Sequence, residues 1–200
     1  SSDVEDKFKD LINDNRTDFT RYYFFYSNYL SSKQKFKEAN KIIDESLIKS
    51  PRNLLLNQLK YDLLADKKFK NKFDCKNLKH VIAELFYIAA NALSSQSIYS
   101  ASNFYLSLAM FLNEEFISYK TLYAENIYMI DNLNKSRKIY EDIKKSGGAY
   151  EWYAVKQITT ILFKQNKDDK AIKYFSNNFK KIDDPNIYQT FDYAEFLKNN

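Results

Sequence analysis

Two sets of residues recur along this chain at one spacing. A small residue followed three positions later by a large apolar one appears at Ala90/Leu93, Ala124/Ile127, Thr159/Leu162 and Ala194/Leu197, in steps of 34, 35 and 35 residues. A second set, a small residue followed four positions later by a bulky one, appears at Ser102/Leu106, Ser136/Tyr140 and Ala171/Phe175, in steps of 34 and 35. Self-similarity at a fixed period of this length marks a chain built from one supersecondary unit that cannot bury its apolar face alone and gains stability by stacking on its neighbours. The ladders imply a pair of antiparallel helices per unit. The small residue of the first helix lets the second approach, and the bulky residue fills the space between pairs.

Helical patterning agrees. Ile82, Leu85, Phe86, Ala89, Ala90 and Leu93 fall on one i, i+3, i+4 stripe, and Leu122, Tyr123, Ile127 and Ile130 repeat the arrangement. Breaks are expected at Ser50-Pro51, at Gly147-Gly148, and at Asp184-Pro185, where Asp184 would cap a helix carrying Pro185 at its first position. With only 2 Gly and 2 Pro in 200 residues, the usual turn-makers of sheet proteins are nearly absent, which favours an all-α fold. A 44% hydrophobic content supports a sizeable core rather than disorder. The 17 Tyr and 16 Phe accompany abundant Lys, Asn and Ile, as coding from an AT-rich genome would produce, so the aromatic excess carries little functional weight.

The spacing and the residues that bear it resemble the tetratricopeptide repeat (TPR) family. The unit 20–53 matches at Tyr23, Tyr26, Ser27, Leu30, Ala39, Ile43 and Pro51. The unit 83–116 matches at Phe86, Ala89, Ala90, Leu93, Ser102, Leu106 and Ala109. The unit 117–151 matches at Tyr123, Ala124, Ile127, Ser136 and Tyr140, and 152–186 at Ile158, Leu162, Ala171 and Phe175. Residues 187–200 read as the first helix of a further or capping unit, through Tyr193, Ala194 and Leu197. Residues 1–19 form an N-terminal helix or flank. Residues 54–82 fit poorly, with one helix over Leu54 to Ala65 and then a Lys-rich irregular segment. Departures from the family pattern include Glu114, Gly148 and Asp183 in place of the terminal Pro, and Lys120 and Val155 in place of the first-helix aromatic.

The resemblance implies an α-α superhelix, a solenoid of antiparallel helix pairs whose first helices line a concave face. Carried over position by position, the partner-binding residues would be Tyr87, Asn91, Thr121, Glu125, Tyr128, Lys156, Thr160, Phe163, Phe191 and Glu195. Such a groove takes an extended peptide or a helix. One subtype clamps a C-terminal carboxylate with a Lys and an Asn four apart. Asn28 and Asn91 stand in the Asn place, but Phe24 and Tyr87 stand in the Lys place, which argues against it. The expected function is therefore a non-enzymatic scaffold or adaptor for a protein or peptide partner. The overall character is most like long bacterial repeat proteins, either periplasmic and exported or cytoplasmic. The Ser-Ser start without Met is read as a removed leader or an excised piece of a longer protein.

Nothing in the sequence assembles chemistry. His80 is the only histidine and Cys75 the only cysteine, so neither has a partner of its own type for a metal or nucleophilic site. Gly147-Gly148 lacks the Lys-Ser/Thr of a phosphate cradle and reads as a turn. Glu114-Glu115 and Asp183-Asp184 fall at helix junctions, where capping is the expected role. No catalytic residue, metal, cofactor or small-molecule substrate is expected. The net charge of +5 is mild, no nucleic-acid module is recognisable, and no run of about 18 apolar residues could span a membrane. Two alternatives stay open. Lys67, Lys68, Lys70, Lys72, Lys76 and Lys79, set against Asp74 alone, could attract a membrane surface or RNA. The aromatic run from Arg21 to Leu30 and the array ends could instead serve self-association.

Overall fold

The computed structural model describes residues 2–13, 20–64 and 72–199, and every described element is an α-helix or a turn. Among the described residues eleven helices follow one another: α1 (Ser2–Asn13), α2 (Thr20–Ser32), α3 (Phe36–Lys49), α4 (Leu54–Leu64), α5 (Leu78–Ser95), α6 (Tyr99–Leu112), α7 (Ser118–Met129), α8 (Leu133–Lys144), α9 (Gly148–Lys164), α10 (Asp168–Phe179) and α11 (Ile187–Asn199). The chain divides into two compact units, Ser1–Phe86 with Leu108–Phe116, and Tyr87–Ser107 with Ile117–Asn200. Ala65 and the Lys67, Lys68 and Lys70 part of the basic segment lie outside the described residues.

The ladders have a concrete meaning in the backbone. In four hairpins a small residue of the first helix sits twelve residues before a small residue of the second: Ser27 and Ala39, Ala90 and Ser102, Ala124 and Ser136, Thr159 and Ala171. All eight are buried. In two of them the second-helix hydroxyl donates to the first-helix carbonyl, Ser102 Oγ to Ala90 O at 2.7 Å and Ser136 Oγ to Ala124 O at 2.9 Å. Such bonds need the two backbones close enough that only a side chain of one or two heavy atoms fits between them.

The same four first helices end alike. Gln34, Ser97 and Asp131 hold φ of 62° and Asn166 holds 56°, all left-handed. The amide of the next residue reaches back to the carbonyl of Leu30, Leu93, Ile127 or Leu162 at 2.9–3.1 Å. The left-handed residue's own amide donates to Ser31, Ser94, Tyr128 or Phe163 at 2.8–3.0 Å. This is the Schellman closure, which satisfies carbonyls that a helix end leaves open. The large residue of the first ladder therefore accepts the bond that turns the chain.

In the first unit α2 packs against α1, α3 and α4. Its aromatic run uses two faces. Phe8 of α1 stacks on Tyr26 at 5.1 Å, while Phe24 and Phe25 meet Phe116 and Phe73. Arg21 forks onto the Glu84 carboxylate, with Nη2 to Oε2 at 2.8 Å and a closer Nε contact to Oε1. That pair allows an acid to be buried on α5. It also corrects the expected stripe there, since Leu85 is 60% exposed while Ala83 and Glu84 are buried. The α5 helix begins at Leu78, within the residues 54–82 read as a degenerate unit.

In the second unit, α7 packs on α8, α8 on α9, α9 on α10 and α10 on α11, each helix against its successor. Trp152, Val155 and Phe175 form a core that Tyr193 and Phe196 of α11 extend. Gly147 and Gly148, at φ of 70° and 58°, make the turn into α9. The expected cap at Asp184 is instead at Asn186, whose Oδ1 accepts the Tyr188 and Gln189 amides at 3.0 Å while Gln189 Oε1 accepts the Asn186 amide at 2.9 Å. This reciprocal box positions α11. Asn53, Asn77 and Asn132 cap α4, α5 and α8 more simply, each side-chain oxygen accepting one amide of the first turn. Ala194 and Leu197, counted in the ladder as buried, are exposed.

Gln34 is exposed and its left-handed backbone penalises any residue with a Cβ. Gln34→Gly is expected to raise unfolding stability by about 0.5–1 kcal/mol and Gln34→Val to lower it by at least about 1 kcal/mol, measured by urea unfolding. Equal stability of the two variants would remove the strain argument.

Candidate functional site

The residues expected to face a partner lie on α5, α7, α9 and α11, all within the second unit from Tyr87 onward. The structure brings these four first helices into side-chain contact in order. The Tyr87 ring lies 5.5 Å from that of Tyr119 on α7. Tyr153 of α9 donates its hydroxyl to Glu125 Oε1. Lys164 of α9 rests 4.6 Å over the Tyr128 ring and pairs with Asp131 at 2.9 Å. Lys156 pairs with Asp192 of α11 at 2.9 Å, and the Trp152 indole N–H reaches the same carboxylate oxygen at 2.9 Å. The Phe163 and Phe196 rings are 6.2 Å apart.

Four of the expected residues, Lys156, Thr160, Phe163 and Glu195, line one cleft of about 360 Å³ between α9 and α11, together with Thr159, Phe175, Asp192, Phe196 and Asn199. The cleft floor is aromatic, and its walls carry one base and two acids. Asn91 and Phe191 are exposed but outside this lining. Thr121 is a correction. It is 9% exposed and its hydroxyl bonds to Ser118 O at 2.8 Å. The reason is that α7 is covered on most sides, with Ser118, Tyr119, Thr121, Leu122, Ala124, Asn126 and Ile127 all buried.

Buried Asn126 knits this region. Its amide donates to Ser102 Oγ at 2.7 Å and Asn103 Oδ1 at 3.0 Å, while its oxygen accepts from Ser94 Oγ at 2.6 Å. A buried amide with its groups satisfied fixes one arrangement of three helices.

Electrostatically, Glu125 stands out. Solvent reaches the side chain, yet surrounding protein strips enough water from it to push its carboxyl pKa up, opposed by the Tyr153 hydrogen bond. The phenols of Tyr140 and Tyr153 are likewise pushed up, chiefly by burial.

A second cavity went unforeseen. In the first unit a half-open cavity of about 420 Å³ is lined by Phe8, Tyr22, Phe25, Tyr29, Phe73 and Leu85 among others, with Cys75, Lys33 and Lys76 also in its lining. Its walls come from α1, α2, α5 and the 72–76 turn, so no local motif announces it. Asn28, the residue in the clamp position, is buried there and donates to Phe73 O at 2.7 Å. His80 Nδ1 accepts the Asp74 amide at 2.9 Å, a structural role at the start of α5. Among the described basic residues, Lys72 is paired with Asp62 at 2.7 Å. Glu114-Glu115 and Asp183-Asp184 fall at junctions as expected, but the α7 start has no side-chain cap and Asn186 caps α11. Among the described residues no group of His, Cys, Asp and Glu could hold a metal ion, and no helix is long and apolar enough to cross a membrane.

No protein-family model, curated protein or solved structure matches this chain.

A carboxyl with a folded pKa above its unfolded value disfavours folding in its charged form. The penalty is absent below the ordinary carboxylate range, grows as pH rises toward the elevated value, and is constant above it. Glu125→Gln, which keeps an acceptor for Tyr153, is therefore expected to raise the melting temperature at pH 7, with the gain vanishing below about pH 4. A gain unchanged by acidification would remove desolvation as the cause.

Proposed function

We propose that this protein is a non-enzymatic scaffold of the tetratricopeptide type that holds a partner peptide or helix along the first helices α5, α7, α9 and α11. One observation carries the reading: hairpins 34 and 35 residues apart close with the same hydrogen bonds, and their first helices touch in chain order. Stacking of that kind builds a superhelix with a lined inner surface. The family assignment rests on the chain's own residues, the small pairs at Ala90/Ser102 and Ala124/Ser136 above all.

The groove's chemistry suits a partner with both apolar and polar groups. Tyr87, Tyr128 and Phe163 offer rings, while Asn91 on α5, Thr160 on α9 and Glu195 on α11 offer acceptors and donors. Much of the polar surface is already oriented by internal pairs, Lys156 with Asp192 and Glu125 with Tyr153. Such preorganisation lowers the entropy lost on binding. Each ring contributes through contact area and is a candidate anchor for a partner side chain.

The test is proximity crosslinking followed by affinity measurement on the captured partner. Substituting Tyr87, Tyr128 and Phe163 together by Ala is expected to weaken capture by about a hundredfold, with helicity retained. Unchanged affinity in a folded triple variant would move the binding surface off these helices.

A further inference from the structure

The half-open cavity of the first unit shares no residue with the proposed groove. Its deepest walls include the buried Asn28, Tyr29 and Phe73, while Leu11, Tyr22 and Leu85 stand at its mouth with 41%, 39% and 60% of their surface exposed. At about 420 Å³ it falls within the roughly 300–1,000 Å³ of small-molecule sites. Large apolar side chains gathered around a concavity of this size make a place for an apolar body.

The walls are fixed from behind. Asn28 Nδ2 donates to Phe73 O at 2.7 Å, the Asp74 amide to His80 Nδ1 at 2.9 Å, and the Lys76 amide to Asp74 Oδ1 at 2.9 Å. The 73–76 turn is thereby tied to α2, to α5 and to itself. Phe25 meets Phe73 at 4.6 Å and Phe8 meets Tyr29 at 6.1 Å, so the rings brace one another. A site whose walls are already ordered loses little entropy when it is filled.

The charges of the lining differ in what they have left to bind. Both Glu84 oxygens take the Arg21 guanidinium, and Asp74 Oδ1 takes the Lys76 amide. Lys33 and Lys76 are exposed at the mouth, and among the described residues no carboxylate pairs with either ammonium. The Lys33 ammonium lies 5.9 Å from the centre of the Tyr29 ring, itself part of the lining. With Glu84 neutralised by Arg21, two ammonium groups stand against the single carboxylate of Asp74. An apolar concavity with a positive mouth selects a ligand whose body is apolar and whose one charge is negative.

We propose that this cavity binds a small anionic amphiphile of the medium-chain carboxylate class. The apolar body lies against Phe25, Tyr29 and Phe73, and the carboxylate stays at the mouth beside Lys33 and Lys76. A neutral molecule with the same body forgoes the charge contacts, and a cationic one meets two like charges.

Cys75 is the only cysteine, is exposed and lies in the lining, so its reaction with a neutral alkylating agent reports whether the cavity is occupied. Iodoacetamide alkylation of the full chain, followed by intact mass, is compared with and without decanoate, decanol or decyltrimethylammonium. Each is kept below its micelle-forming concentration, helicity is monitored, and each rate is taken relative to the ligand-free rate of the same variant. Decanoate is expected to protect Cys75 at the lowest concentration, decanol to need about fivefold more, and the cation more still. Lys33→Gln combined with Lys76→Gln is expected to raise the decanoate requirement to that of decanol and to leave decanol unchanged. Equal protection by all three amphiphiles overturns the proposal, as does a decanoate advantage that persists without the two lysines. Failure of decanoate to protect Cys75 also overturns it. So does a Cys75 that resists alkylation in the free protein, since the chain would then fill the space itself.

Discussion

The structure depends on how closely two helices of a hairpin approach. Where Ser102 reaches Ala90 O and Ser136 reaches Ala124 O, the backbones leave room for a hydroxymethyl or a methyl group and nothing larger. A bigger side chain at any of these places would force the pair apart or off rotamer. The turn depends on that approach as well. The amides of Lys35, Ile98, Asn132 and Lys167 return to the last large residue of the first helix because the second helix starts directly beneath it. Small pair and turn are one device, and its repetition sets the period. Where the small pair lacks its hydroxyl on the second helix, as at Thr159 and Ala171, the Thr159 hydroxyl turns to Val155 O and the close contact survives.

The parts of the fold set by that device were legible in the sequence, because a steric limit leaves the same residue type at the same interval. Parts set by long-range pairing were not. Glu84 reads as a surface position until Arg21, sixty-three residues away, forks onto it and Leu85 turns outward. Thr121 reads as outward because its counterparts do, yet α7 is enclosed on most sides. The cap of α11 lies two residues beyond the expected Asp184, because Asn186 prevails through the reciprocal bond with Gln189 over the stronger local signal of Asp184-Pro185. The cavity in the first unit needed four separate segments before it existed at all. Within the candidate groove, Lys156, Thr160, Phe163 and Glu195 do share a cleft, as one helical register shared by α9 and α11 would require.

Composition and architecture constrain each other here. Glycine at the four left-handed turn positions would be the least strained choice, and the chain has Gln34, Ser97, Asp131 and Asn166 there instead. Asn and Asp tolerate that conformation better than most residues. Asparagine also supplies the caps at Asn53, Asn77, Asn132 and Asn186 and the buried knot at Asn126. Tyrosine and phenylalanine, in turn, fill volume that smaller aliphatics would leave empty, with Trp152, Phe175, Phe179, Tyr193 and Phe196 in ring contact through one end of the second unit. A nucleotide bias toward these residue types is compatible with a helical array because each type has a structural place to go.

The paired first helices and the exposed face of α11 differ in polarity. Along the first helices Lys156 is paired with Asp192 and Lys164 with Asp131, while Glu195 lines the same α9–α11 cleft as a further acid. On α11 the exposed stripe Ile187, Thr190, Ala194 and Leu197 is apolar apart from Thr190, whose hydroxyl is turned onto Asn186 O at 3.1 Å. On α7, outside that cleft, Glu125 is held by a phenol and short of water, a group that resists its own charge. Further loss of water around that carboxyl would deepen the penalty on its charged form, and a hydrogen-bond donor placed on it would relieve the penalty, as the Tyr153 hydroxyl already does in part.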